Sequence, residues 1–224
     1  MHSFIITIDG PAGVGKSTVA RMLAKQLGAV FLDTGASYRA VTVAAMNAGI
    51  DLADTLAVLE MMDRTAFEFK HDGDVLKVSI DGQDATEAIR QPQVTENVKF
   101  VAGQPQLRSR LVTLQKRFAA QFDRVVTEGR DQGTVVFPDA AFKFFLTADP
   151  KERTRRRYEE LKAAGKEMDF EMLHEQIVSR DASDENRTVS PLKPASDAIH
   201  IDTTDIDADG VVNRMLEVIN TKHG

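Results

Sequence analysis

At 224 residues, with 42% hydrophobic and 28% charged side chains, the chain has the size and make-up of one soluble α/β domain carrying insertions. A formal net charge of −6 argues against broad binding to nucleic acid or to an anionic membrane. There is no cysteine, which excludes disulfides, thiolate metal sites and a cysteine nucleophile, and which suits a reducing cytosol.

The longest apolar runs fall far short of a membrane span. No basic segment or long apolar core stands ahead of the first strand, so no export leader is expected. Histidines are scattered at 2, 71, 174, 200 and 223, and His174-Glu175 lacks the second histidine of a zinc-protease helix. A cytoplasmic monomer is the expectation.

Phe4 to Ile8 reads as a buried strand, and Thr18 to Leu27 has helical spacing with Val19, Leu23 and Leu27 on one face. Between them stands Gly10-Pro11-Ala12-Gly13-Val14-Gly15-Lys16-Ser17, followed by Thr18, which fits G-x-x-x-x-G-K-[ST]. Glycines let such a loop aim its N–H groups at an anion, and the opening helix adds its own positive end. Lys16 can reach the outer phosphates of a nucleotide as a compact charge, and the Ser17 hydroxyl can ligate Mg²⁺. Strand, loop and helix come in the order that a phosphate-binding loop requires.

Ala29 to Leu32 is a second short core strand, ending in Asp33-Thr34-Gly35-Ala36-Ser37-Tyr38-Arg39. Polar groups at the carboxyl end of a strand face the ligand crevice of an open α/β sheet, and Asp33 or Thr34 also suits a helix cap. Tyr38 and Arg39 then fall in the first turn of a helix continuing from Ala40 to Ala48, and Asp54 to Met62 forms another short helix. Residues 66–70 and 75–80 alternate apolar and polar, with a hairpin turn at His71-Asp72-Gly73-Asp74; this predicts a small antiparallel insert. Helices open at Pro92 and Pro105. The second lines up Leu107, Leu111, Leu114 and Phe118, with Arg108, Arg110, Lys116 and Arg117 making a basic face of the kind that usually stays solvated.

Arg124 to Glu128 is the next core strand, and its terminal acid suits the metal-associated position of phosphate-loop proteins. It leads into Gly129-Arg130-Asp131-Gln132-Gly133-Thr134, where two glycines clear space around an arginine and an aspartate. A further strand, Ala141 to Leu146, precedes Asp149-Pro150, a helix start. That helix carries Arg153, Arg155, Arg156 and Arg157, which cannot all face one way. A second charged helix follows Asp169, the two making a hairpin around Gly165. Ala198 to Ile201 reads as a last core strand, and Val211 to Ile219 as a closing helix. Alternation of apolar strands and helices predicts a three-layer parallel sheet flanked by helices.

These motifs resemble the bacterial-type cytidylate kinases of the nucleoside monophosphate kinase group. The likeness covers nearly the whole chain. It rests on Ile8-Asp9-Gly10-Pro11 through Ser17, on Leu32-Asp33-Thr34-Gly35 with Tyr38-Arg39, on Gly129-Arg130-Asp131 with Gly133 through Ala140, and on Arg180-Asp181 with Asp184, Asn186-Arg187 and Pro191-Leu192. The resemblance implies transfer of a phosphoryl group from ATP to CMP or dCMP, with Mg²⁺, on a single kinase domain. Its parts would be a core of about 1–63, 92–148 and 188–224, a nucleoside-monophosphate-binding insert of about 64–91 and a helical lid of about 149–187. It implies that residues 10–18 bind ATP and that Arg39, Arg130 and Arg187 hold the acceptor phosphate. Arg108 and Asp131 would meet the cytosine, Arg180 and Asp184 the sugar, with Tyr38 and Thr34 lining the same pocket. Arg156 would belong to the lid. Lys99 stands where some members have a serine near the base. Ser17 would ligate the metal, with Asp33 or Glu128 behind it. The open alternatives are a phosphate-loop kinase for another acceptor, or a nucleotide-binding module without phosphotransfer.

Overall fold

The computed structural model describes residues 4–72 and 75–223. Its elements run β1 (Phe4–Asp9), α1 (Lys16–Leu27), β2 (Val30–Asp33), α2 (Thr34–Asn47), α3 (Thr55–Arg64), β3 (Phe67–Asp72), β4 (Val75–Ile80) and β5 (Gln83–Asp84). They continue with α4 (Pro92–Ala102), α5 (Pro105–Ala119), β6 (Arg124–Gly129), β7 (Phe142–Thr147), α6 (Pro150–Ala163), α7 (Phe170–Asn186), β8 (Ile199–Asp202) and α8 (Ala208–His223). A 3-10 turn covers Ala88–Arg90 and a π-helical turn Gln132–Val136.

The chain divides into two compact units, Met1–Leu32 with Asp123–Gly224, and Asp33–Phe122. The first holds a five-stranded sheet in the order β2-β6-β1-β7-β8. β1 lies at its centre, parallel to both β6 and β7, and β7 is parallel to β8. Central parallel strands are covered on both faces, so they read as continuous apolar runs rather than alternating ones. Ile6, Ile8, Val126, Phe144 and Leu146 accordingly pack with Leu23 of α1 and Met215 of α8 in one core. Each such side chain contributes roughly 1.5–3 kcal/mol on burial.

The second unit joins α2 through α5 to the small sheet β3-β4-β5. β3 and β4 pair antiparallel, with Phe67 opposite Ile80 and Phe69 opposite Val78, as the alternation predicts. Gly73 and Asp74 of the predicted hairpin turn lie outside the described residues. The two-residue strand β5 was not legible, because Asp81 and Gly82 turn the chain through positive φ and leave only two polar residues to pair back. This unit is wider than an insert of 64–91. Val41, Val58, Leu107 and Leu111 form one core, and Ala36, Ala40, Val78, Ile89 and Val94 another, so α2 to α5 pack with the hairpin or beside it.

Two glycines frame the helix that follows the phosphate loop. Gly15 caps the start of α1 at φ 89° without a side-chain bond, and Gly28 closes it at φ 57°, its N–H reaching the carbonyls of Ala24 and Lys25. Gly10 sits where β1 leaves the sheet, and a Cβ there would run into the carbonyl oxygen of Leu146 on β7. Gly10→Ala is therefore expected to cost about 2–3 kcal/mol through overpacking, lowering the melting temperature by roughly 5–10 °C. Circular dichroism melts check this; a melt within 2 °C of wild type would show that β7 gives way easily.

Candidate active site

In the first unit, the phosphate loop spans the gap between the carboxyl end of β1 and the first turn of α1. Lys16 is only 5% exposed, and its Nζ donates to the carbonyl of Pro11 at 2.6 Å. Burial, and then the charge of Arg130, push the lysine down to about 7, while Glu128 and Asp9 oppose the shift. Ser17 Oγ donates to Glu128 Oε1 at 2.9 Å. A hydroxyl and a carboxylate side by side at a helix start are hard oxygen donors of the kind Mg²⁺ takes. The residues present thus fit that ion.

Arg130 turns from the end of β6 toward α7, where its Nε donates to Asp184 Oδ2 at 2.7 Å. Arg187 lies 3.7 Å from the other oxygen of Asp184, and its Nε donates to the carbonyl of Ser190 at 2.7 Å. Arg180 is lowered from its ordinary value, first by burial and then by Arg130, with Asp184 and Asp181 opposing. Arg130, Arg180, Asp184 and Arg187 are thus brought together. Asp131 is buried at 4% exposure, and its backbone opens the π-helical turn. Such turns are rare and often mark functional sites. The sequence suggested only a loop there.

The arginines of α6 separate as their spacing requires. Arg155 pairs with Glu152 and Glu159, and Arg157 with Glu160, on the solvent side. Arg156 bonds Glu152 and the carbonyls of Thr203 and Thr204, at 2.6 and 3.0 Å for the latter two, fastening α6 to the segment after β8. Arg153 is the one turned inward. It is 4% exposed, and it donates to Asp181 and to the carbonyl of Ala12 in the phosphate loop. Asp181 in turn accepts from the Ala12 N–H at 3.3 Å. The two peptide groups flanking Ala12 in the loop are therefore both clasped.

The second unit holds the other sequence-predicted residues. Asp33 caps α2, accepting from the Ala36 N–H at 3.0 Å, and pairs with Arg39 at 3.1 Å. Both its oxygens are thereby engaged, whereas Glu128 is the acid that meets Ser17. Thr34 is buried, and its carbonyl accepts from Ser37 Oγ, which also accepts from Gln115 Nε2. Arg108 departs from the solvated basic face expected of α5. It is 5% exposed, donates to the carbonyl of Ala102, and lies 5.5 Å from the centre of the Tyr38 ring. Its neighbour Arg110 keeps the expected role and pairs with Asp63. Lys99 is exposed on α4, with its ammonium 5.2 Å over the Phe100 ring.

Three residues gained importance only in the structure: Asp9, Arg153 and Asp181. Asp9 carried a faint signal, as a carboxylate ending a strand buried on both sides. Asp9 is held at about 6 chiefly by burial, although the N–H groups of Gln132 and Gly133 and the charge of Lys16 favour its ionised form. Arg153 could not be told from its three neighbours by composition.

A buried lysine on a glycine-rich loop between a central parallel strand and a helix defines a phosphate-loop protein. Comparison with known proteins agrees. The profile of the cytidylate kinase family matches residues 6–221. The chain is 48% identical over 219 residues to the cytidylate kinase of Caldanaerobacter subterraneus subsp. tengcongensis, covering 97% of this chain and 96% of the relative. It is 46% identical over 217 residues to that of Desulfitobacterium hafniense, covering 97% and 93%. The chain belongs to the cytidylate kinase family. Among solved structures, TT1252 from Thermus thermophilus shares the fold, with a TM-score of 0.53 at 16% identity over 99% of this chain and 98% of that one. No helix of the described residues is long and apolar enough to cross a membrane.

Removing one partner of a buried pair leaves an uncompensated charge, at about 3–5 kcal/mol. Arg153→Ala is expected to lower the melting temperature by roughly 6–20 °C, and Arg153→Met combined with Asp181→Leu to recover most of that loss. Calorimetry of both variants checks this, and a double variant no better than the single one would contradict it.

Proposed function

We propose that this chain transfers the γ-phosphoryl group of ATP to CMP or dCMP, giving ADP and CDP or dCDP. The observation that carries the proposal is the buried Lys16 set beside Arg130 and Arg180 in a chain that matches cytidylate kinases along nearly its whole length.

Residues 10–18 and the start of α1 hold the ATP phosphates through their backbone N–H groups, all but Pro11 having one, and Lys16 neutralises the outer ones. Ser17, with Glu128 beside it, would hold Mg²⁺, which supplies charge neutralisation and alignment when bound. An oxygen of the CMP phosphate attacks the γ-phosphorus as the bond to the ADP oxygen breaks. The acceptor is already ionised, so no protein base is required. Charge-stabilising groups and correct placement supply most of the acceleration.

Arg130 and Arg187 grip the acceptor phosphate, exchanging part of their contact with Asp184 for it, and Arg180 and Asp184 meet the sugar. The family resemblance gives Thr34, Tyr38, Arg39, Lys99 and Arg108 of the second unit roles toward the acceptor nucleotide. Asp131 reads the base. Cytosine presents an amino donor at N4 that a carboxylate accepts, whereas uracil presents an acceptor there. Rejecting uracil through an unsatisfied, desolvated carboxylate gives strong discrimination. The hairpin of α6 and α7, about 149–187, acts as a lid, with Arg156 releasing Glu152 to meet the transferring group. The enzyme works as a cytoplasmic monomer.

Lys16→Ala is expected to lower kcat/KM by a hundred- to a thousandfold, about 3–4 kcal/mol, while the chain still folds cooperatively. Near-normal turnover would remove Lys16 from the reaction. Asp131→Asn should reduce the CMP-to-UMP ratio of kcat/KM by roughly tenfold or more, since an amide can present either a donor or an acceptor. An unmoved ratio would show that another group reads the base.

A further inference from the structure

We infer that Asp9 is a positioning residue for the acceptor site, acting through the backbone that carries Arg130 and Asp131 rather than through the phosphate loop it immediately precedes. The inference rests on the proposed roles of those two residues.

Asp9 is 4% exposed at the end of the central strand β1. Its Oδ1 accepts the N–H of Gln132 at 2.9 Å, and its Oδ2 accepts the N–H of Gly133 at 2.7 Å. Two successive peptides held by the two oxygens of one carboxylate fix the position and the roll of that backbone together. These are the first N–H groups of the π-helical turn Gln132–Val136, which have no partner within the turn itself. The carbonyl of Asp131 is tied from the other side, accepting from Val135 at 2.9 Å and Val136 at 3.2 Å. Asp131 is thus held between its own turn and the carboxylate of a residue more than a hundred positions earlier.

The neighbours fit the same purpose. Gln132 is buried, and its Oε1 accepts from Thr127 Oγ1 at 3.1 Å, so the side chain at 132 anchors the turn to β6. At 133 a Cβ would stand 2.9 Å from Thr7 Oγ1 and 3.4 Å from Asp9 Oδ2. Only glycine lets this N–H come so close without displacing those groups. Burial disfavours the ionised carboxylate, and the adjacent Asp131 adds to that cost. The site nevertheless uses an acid, because a carboxylate accepts at both oxygens and an amide at only one.

The test measures KM for CMP and for ATP separately in two variants. In Asp9→Asn one of the two N–H groups faces an amide NH₂. In Gly133→Ala the charge of Asp9 is kept and the turn is pushed away from it. For each, KM for CMP is expected to rise roughly tenfold or more, in line with losing a hydrogen bond to a charged group. In Gly133→Ala, which keeps the charge of Asp9 beside Lys16, KM for ATP should stay within about twofold, and in both variants the preference for CMP over UMP should fall. A KM for ATP that rises as much as that for CMP would place Asp9 with the phosphate loop and overturn the inference. So would two unchanged KM values, which would leave Asp9 a packing residue. Should Asp9→Asn fail to fold, Gly133→Ala decides alone by the same criteria. In these cases wild-type turnover of CMP stands, and with it the proposed function. A wild type that does not turn over CMP would instead refute the function, and this inference with it.

Discussion

Lys16, Arg130 and Arg180 repel one another, with Lys16 buried, Arg130 half-buried and Arg180 exposed, and Lys16 and Arg180 are each lowered in part for that reason. Left alone, such a cluster would push its members out to solvent. Asp9, Glu128, Asp181 and Asp184 hold it in place. A cluster of this kind is costly to build and suited to one kind of guest. Anionic phosphate groups would relieve its repulsion, most strongly at the buried Lys16.

The same acids are also joints between distant parts of the chain. Asp9 links the end of β1 to the turn at 132, and Asp184 links α7 to the end of β6. Asp181 links α7 to Ala12 and Arg153. Each therefore does two things at once, balancing a cation and setting the position of a backbone segment that carries functional groups. That double duty explains why the π-helical turn can persist. Its orphan N–H groups are taken by a carboxylate that the electrostatics of the site already needs.

Much of this could be read from the chain. The phosphate loop declared itself by spacing and by the strand and helix on either side. The parallel core was legible because its strands are continuous apolar runs, and the hairpin because Phe67 to Lys70 and Val75 to Ile80 alternate. Local patterns failed where long-range packing decides. Arg108 looks like a surface cation on the helical spacing of α5, yet it turns in toward Tyr38 and the carbonyl of Ala102. Arg153 is one of four similar arginines, and its inward turn depends on Asp181, 28 residues away. The width of the second unit was missed because its two cores mix residues from α2, α3 and α5, and from α2, β4 and α4. No single stretch shows that pairing. Family resemblance supplied residue roles that spacing could not.

A coupled ADP-release assay with Mg-ATP and a panel of CMP, dCMP, UMP and AMP addresses the central claim directly. The account predicts strong turnover with CMP and dCMP and little with UMP or AMP. Turnover with UMP or AMP in their place would keep the phosphate chemistry and contradict the reading of the base by Asp131. No turnover with any of the four would contradict the assignment of phosphotransfer to these acceptors.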